Sequence, residues 1–118
     1  MFMKYLFFCL ITTTFLSCNS STETNTTSDK TGKGEQLFTT NCSTCHKSDE
    51  DFVGPALKGA QSRWTNKTLL YEFVKNPDSV IQKDPYAASL LQKYSSKMTP
   101  FPNLSNDEID DILAYCNQ

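Results

Sequence analysis

Cys42-Ser43-Thr44-Cys45-His46 places two thiols three residues apart and an imidazole directly after the second. This is the C-x-x-C-H spacing by which c-type haem is attached. One helical turn brings both thiols to the same side, where they can add to the two vinyl groups on one part of a porphyrin. The next residue then projects its imidazole toward the iron. Two other chemistries use the same residue types. A Cys₃His zinc site would recruit Cys42, Cys45, His46 and Cys116, but adjacent Cys45 and His46 ligate one tetrahedral ion only awkwardly. A redox-active dithiol is the other, yet thioredoxin-like pairs sit at a strand-to-helix junction, and no segment here has a strand period.

His46 is the only histidine of the chain, so any histidine ligand to iron must be this one. Met98 is the only methionine left once the N-terminal segment is removed. It stands in Lys97-Met98-Thr99-Pro100-Phe101-Pro102, a loop stiffened by two prolines that fix φ. As a soft neutral ligand its thioether would favour Fe(II) and raise the reduction potential. The simpler reading of Met98 is a loop side chain packed on the core.

Residues 1–17 read as an export signal. Lys4 supplies the positive charge and Tyr5–Ile11, with Phe15 and Leu16, the apolar run, which is shorter than the roughly 20 residues a membrane-spanning helix needs. Phe15-Leu16-Ser17-Cys18 resembles the lipobox of bacterial lipoproteins, which makes Cys18 the expected lipidation site. An ordinary signal cleaved near Ser17 is the alternative. From Asn19 to Thr31 the chain is dominated by Ser, Thr and Asn and has nothing to bury, so residues 18–31 are expected to be a lipidated cysteine and a disordered tether. A coil of that length reaches about 20 Å. Export also suits the motif, since c-type haem is attached outside the bacterial cytoplasm. The expected location is the cell envelope, on the periplasmic or outer side of a membrane.

Residues 32–118 remain as the folded domain, small enough that a cofactor, metal or disulfide is often needed to complete the core. The chain has 118 residues, 11 basic against 13 acidic side chains and a net charge of −2, so nothing points to a nucleic-acid partner. The domain is expected to be all-α, with about four helices. Gly34, Leu37, Phe38 and Cys42 share one face of a helix that runs into the haem motif. Leu69, Leu70, Phe73 and Val74 mark a second helix, stopped at Asn76 by Pro77. Asp84-Pro85 opens a third. Ser105 and Glu108 form a capping box at the head of the last, whose apolar face is Ile109, Ile112, Leu113 and Cys116. On that face Cys116 is a small apolar filler.

Taken together, these residues resemble the class I (mono-haem) c-type cytochromes over essentially all of 32–118. The resemblance implies a helical bundle around one covalent haem. Gly34 and Phe38 match the family's first-helix contact positions, and Ile112-Leu113-Ala114-Tyr115 matches the last helix that crosses it. Gly54-Pro55-Ala56-Leu57 resembles the Gly-Pro-x-Leu element. In that element the proline carbonyl accepts a hydrogen bond from the proximal histidine, which carries over to Pro55 and His46, and Leu57 packs on the haem edge. Trp64 and Arg63 are candidates to bind a haem propionate. Thr99 separates Met98 from Pro100, a departure from the family's common Met-Pro pairing.

The function implied is electron transfer, not enzymatic catalysis, between a donor and an acceptor redox protein at a membrane surface. Ligands at Cys42, Cys45, His46 and Met98 would hold haem c and its iron. The alternative is a haem enzyme or gas-binding module from which Met98 dissociates; it would want a distal acid–base group, and the lone histidine is already committed. A purely structural metal lipoprotein is a third reading. Residues 58–97 carry seven basic side chains against three acidic ones. They read either as a docking face for an acidic partner or as scattered solvated lysines.

Overall fold

The computed structural model describes residues 26–118, in which five α-helices and a 3-10 turn, with no strands, surround an elongated cavity. The helices are α1 (Thr26–Asn41), α2 (Lys67–Lys75), α3 (Pro77–Ile81), α4 (Pro85–Tyr94) and α5 (Asn106–Cys116), with the 3-10 turn at Ala60–Arg63. The export signal and Cys18 lie outside the described residues.

The most extensive helix contact is the crossing of α1 with α5. Gly34 makes it possible: a Cβ there would lie 2.1 Å from the Asp111 carbonyl oxygen. Four residues on, Phe38 meets Tyr115 with ring centroids 5.5 Å apart. Phe38, Ile112 and Cys116 form one buried cluster, with Leu57 and Cys42 at its margin. Lys33 reaches both Glu108 and Asp111 across the same crossing.

A second cluster gathers Trp64, Leu70, Phe73, Val80, Ala87, Ile109 and Leu113. Trp64 is its hub, with Phe73 at 5.1 Å and Tyr86 edge-on at 5.0 Å between ring centroids. The helices that carry this cluster start as their sequences demand. Asn66 Oδ1 accepts the Leu69 N–H, and Asp84 Oδ1 accepts the Ala87 N–H ahead of Pro85. Ser105 and Glu108 cap α5 reciprocally.

Two features differ from the sequence reading. The chain leaves α2 at Asn76 as expected, but Asn76 also caps a fifth helix, α3, whose first residue is Pro77. Pro77 therefore ends one helix and begins the next, because a missing N–H and a fixed φ suit the first helical position. Residues 26–31, expected to belong to a disordered tether, are instead the first turns of α1. Lys30 is exposed and Thr31 half-buried, and the helix is anchored downstream at Gly34 and Phe38. Extending an existing nucleus costs each residue only its own weak propensity.

Candidate functional site

Where α1 ends, the chain continues as a turn through the cysteine motif. The Cys42 and Ser43 N–H groups donate to the Phe38 carbonyl, and the Cys45 and His46 N–H groups donate to the Cys42 carbonyl. This local bonding holds Cys42 half-buried beside the core and leaves Cys45 exposed. The motif thus sits one step beyond the helix rather than inside it.

From His46 the chain loops back on itself. Gly54 N–H donates to the Cys45 carbonyl, Leu57 N–H to the Lys47 carbonyl and Lys58 N–H to the Ser48 carbonyl. The doubling-back brings the Pro55 carbonyl to 2.8 Å from His46 Nδ1. A carbonyl can only accept, so Nδ1 carries a proton, and in the neutral ring Nε2 is the nitrogen with the lone pair. Gly54 makes room for the ring, since a Cβ there would stand 2.6 Å from His46 Cε1.

Met98 comes from the loop between α4 and α5. Its far end is pinned where Phe101 N–H donates to the Val74 carbonyl at 2.9 Å, and its near end where Lys97 pairs with Asp78 at 2.9 Å. His46, Pro55, Cys42 and Met98 line a common cavity with an outer chamber of about 370 Å³ and an inner one of about 70 Å³. Cys45, Gly54, Val53 and Tyr94 border the outer chamber, and Leu57, Trp64 and Arg63 the inner. Leu90, Phe73 and Phe101 face both.

These walls fit a haem. They are mostly apolar, as a porphyrin body requires, and among them stand the two thiols of the attachment motif, one imidazole with a free Nε2 and one thioether. Trp64, one of the two propionate candidates, is among the residues that line the inner chamber. Arg63 is placed differently. Its guanidinium donates to the Ala56 and Lys58 carbonyls and to Tyr86 Oη, so it braces the loop after Pro55.

The competing metal and thiol chemistries find little support. Among the described residues no three His, Cys, Asp or Glu side chains cluster closely enough to share a metal ion. As a free thiol Cys42 would be pushed up to about 12, first by burial and then by neighbouring Cys116. An activated dithiol needs the opposite shift. Cys116 is 1% exposed and its thiol is likewise raised by burial.

In the basic segment 58–97 four lysines are ion-paired. Lys67 bonds Asp110, Lys83 bonds Glu72, Lys93 bonds Asp51 and Lys97 bonds Asp78. Lys75 donates to Asn106 Oδ1 and Lys58 to the Gln118 carbonyl. Asp110 and Asp51, from outside the segment, offset part of the local excess, while Lys58, Arg63 and Lys75 bond no side-chain carboxylate among the described residues.

Comparison with known proteins agrees with the geometry. The Cytochrome c family model matches residues 32–118. Photosystem II extrinsic protein V of Synechocystis sp. is 34% identical over 92 residues, covering 70% of this chain and 56% of that protein. The protein of the same name from Picosynechococcus sp. is 37% identical over 68 residues, 51% of this chain and 40% of that one. The chain thus spans about half the length of these curated relatives. Among solved structures, the cytochrome c from Rhodothermus marinus is similar with a TM-score of 0.63 at 36% identity over 75% of each chain. An engineered form of it, bound to a carbene intermediate, gives 0.59 at 35% identity over 75% of each.

Proposed function

Because the chain belongs to the cytochrome c family, which holds haem c and its iron covalently and transfers electrons, we propose that it is an exported class I carrier with one haem. In this reading Cys42 and Cys45 form the thioethers, His46 and Met98 ligate the iron, Leu57 packs on the haem edge and Trp64 binds a propionate. Cys18 bears a lipid that fastens the protein to a membrane on the periplasmic or outer side of the cell envelope. The observation that carries the reading is that Cys42, Cys45, His46, Pro55 and Met98 line one and the same cavity.

When bound, the haem supplies an Fe(II)/Fe(III) couple that accepts or gives one electron. The protein's share is positional. The Pro55 carbonyl fixes the His46 ring and its tautomer. The pinned loop 97–102 presents Met98 with little freedom. Ligands so restrained keep their places in both oxidation states, and the apolar walls exclude water. Exposed Cys45 marks the edge at which a partner would approach.

No described helix is long and apolar enough to cross a membrane. Attachment through Cys18 would instead raise the local concentration of the carrier at membrane redox proteins. The relatives' shared name refers to a photosystem; for this chain the inferred partners are a redox donor and an acceptor of unstated identity.

Visible spectra and intact mass of the mature protein, purified from a haem-competent bacterial host, test the whole reading. The expected result is a six-coordinate c-type haem with a thioether signature and a mass of polypeptide, lipid and one haem. Rapid carbon monoxide binding by the unmodified ferrous protein would favour the open-site alternative. A colourless protein with free Cys42 and Cys45 thiols would end both.

A further inference from the structure

Asp51 lies five residues past His46 and does not itself line the cavity. Its Oδ1 accepts the Ala56 N–H at 2.9 Å. The Pro55 carbonyl that accepts from His46 Nδ1 at 2.8 Å belongs to the same peptide group. One planar, resonance-coupled amide is therefore held at both ends, by a carboxylate on its N–H and by the imidazole on its oxygen. The other carboxylate oxygen is fixed from α4, where Lys93 Nζ donates at 2.8 Å and Tyr94 Oη at 2.7 Å.

We propose that Asp51 is a positioning residue for His46, acting through the Pro55–Ala56 peptide to orient the ring and strengthen its donation to iron. The inference rests on the reading of His46 as the iron's ligand. The physical chain is short. A negative charge on the N–H end favours the polar resonance form and makes the carbonyl oxygen a better acceptor. A stronger bond at Nδ1 makes the imidazole more basic at Nε2. A more basic axial ligand stabilises Fe(III) over Fe(II) and lowers the reduction potential. Lys93 and Tyr94 hold the carboxylate in register and withdraw part of its charge. The relay thus joins α4 to the ligand loop.

Asp51 is 48% exposed, so its direct field at the iron is weakened by salt, whereas a relay through two hydrogen bonds and one amide is not. The test uses the haem-loaded full-length protein and the Asp51→Asn variant, which keeps an acceptor for Ala56 N–H but loses the charge. Glu50→Gln removes a neighbouring carboxylate that, among the described residues, pairs with Lys47, and serves as the control. Midpoint potentials are measured at low and high ionic strength, alongside the hyperfine-shifted His46 ring protons of the oxidised protein.

The expected result for Asp51→Asn is an upward shift of potential that persists at high salt, with displaced His46 resonances, while Glu50→Gln moves neither. An Asp51→Asn shift that vanishes at high salt, or one matched by Glu50→Gln, overturns the relay. Should Asp51→Asn fail to retain haem, Tyr94→Phe reads the same path with the opposite sign. It removes a competing donor from Asp51 and should lower the potential; no change there also overturns the proposal. A wild-type spectrum lacking histidine–methionine coordination would sink the parent reading instead, which separates the two failures.

Discussion

Gly54 stands so close to His46 that a β-carbon would sit 2.6 Å from Cε1 and 3.0 Å from Nδ1 of the ring. The contact lies one residue before the carbonyl that accepts the Nδ1–H hydrogen bond, so room for the ring and its hydrogen bond come from one short stretch of loop. Gly54→Ala must move the imidazole or the loop. Overpacking of this kind costs about 1–3 kcal/mol. The expected outcome is a folded but less stable protein with altered His46 resonances and reduced haem retention. Thermal melts and the ratio of haem absorbance to protein measure both effects.

Gly34 and Gly32 lie on the same helix and should respond in opposite directions. A Cβ at Gly34 meets the Asp111 backbone carbonyl at 2.1 Å, and backbone cannot step aside as a flexible side chain can, whereas Gly32 has nothing within 4 Å. Gly34→Ala is expected to lose stability at the upper end of about 1–3 kcal/mol, or beyond it. Gly32→Ala should gain up to about 1 kcal/mol from better helix propensity. Each kcal/mol moves the melting temperature by about 4–8 °C in a domain of this size. A calorimetric comparison of the two variants checks both signs.

Features written in local patterns could be read before the fold was known. The Ser105–Glu108 box, the Asp84-Pro85 start and the C-x-x-C-H motif each lie within a few consecutive residues, and the apolar repeat of α5 follows one helical period. Features that depend on distant partners could not. Asp51 meets Lys93 across 42 residues and Lys67 meets Asp110 across 43, so these two pairings were invisible to local counting. The first turns of α1 were missed because Thr26–Thr31 has no apolar period to mark them as helical. The steric demand on Gly54 comes from a ring brought back by a loop, which leaves no periodic trace.

The capping box at α5 couples stability to acid. The Glu108 carboxylate lies below its ordinary range, chiefly because it accepts the Ser105 backbone N–H, then the Ser105 hydroxyl, with Lys33 assisting. A carboxyl lowered by folding contributes fully above its unfolded pKa of about 4.3 and loses that contribution as pH falls through the folded value. The melting temperature should therefore be flat near neutrality and decline below about pH 4. Glu108→Gln should shallow that decline, and Ser105→Ala should cost about 1 kcal/mol at neutral pH by removing the cap. Melts recorded across acid pH distinguish the two.

Met98 offers the sharpest check on the iron's coordination. It is half-buried in a loop held at Phe101 and Lys97, so replacing it leaves the frame of the loop in place. Truncating a packed methionine to alanine costs on the order of 2 kcal/mol, more if a bond to iron goes with it. Met98→Ala is expected to lower the reduction potential, since a soft ligand favouring Fe(II) is lost. The ferrous variant should also bind carbon monoxide at once, while the parent binds it slowly because Met98 must first leave. Ser96 borders the same chamber from an exposed position on this loop, and Ser96→Ala should change neither property. If Met98→Ala matched the parent in both potential and carbon monoxide kinetics, the methionine would be a packing residue and the sixth position of the iron would belong to another group.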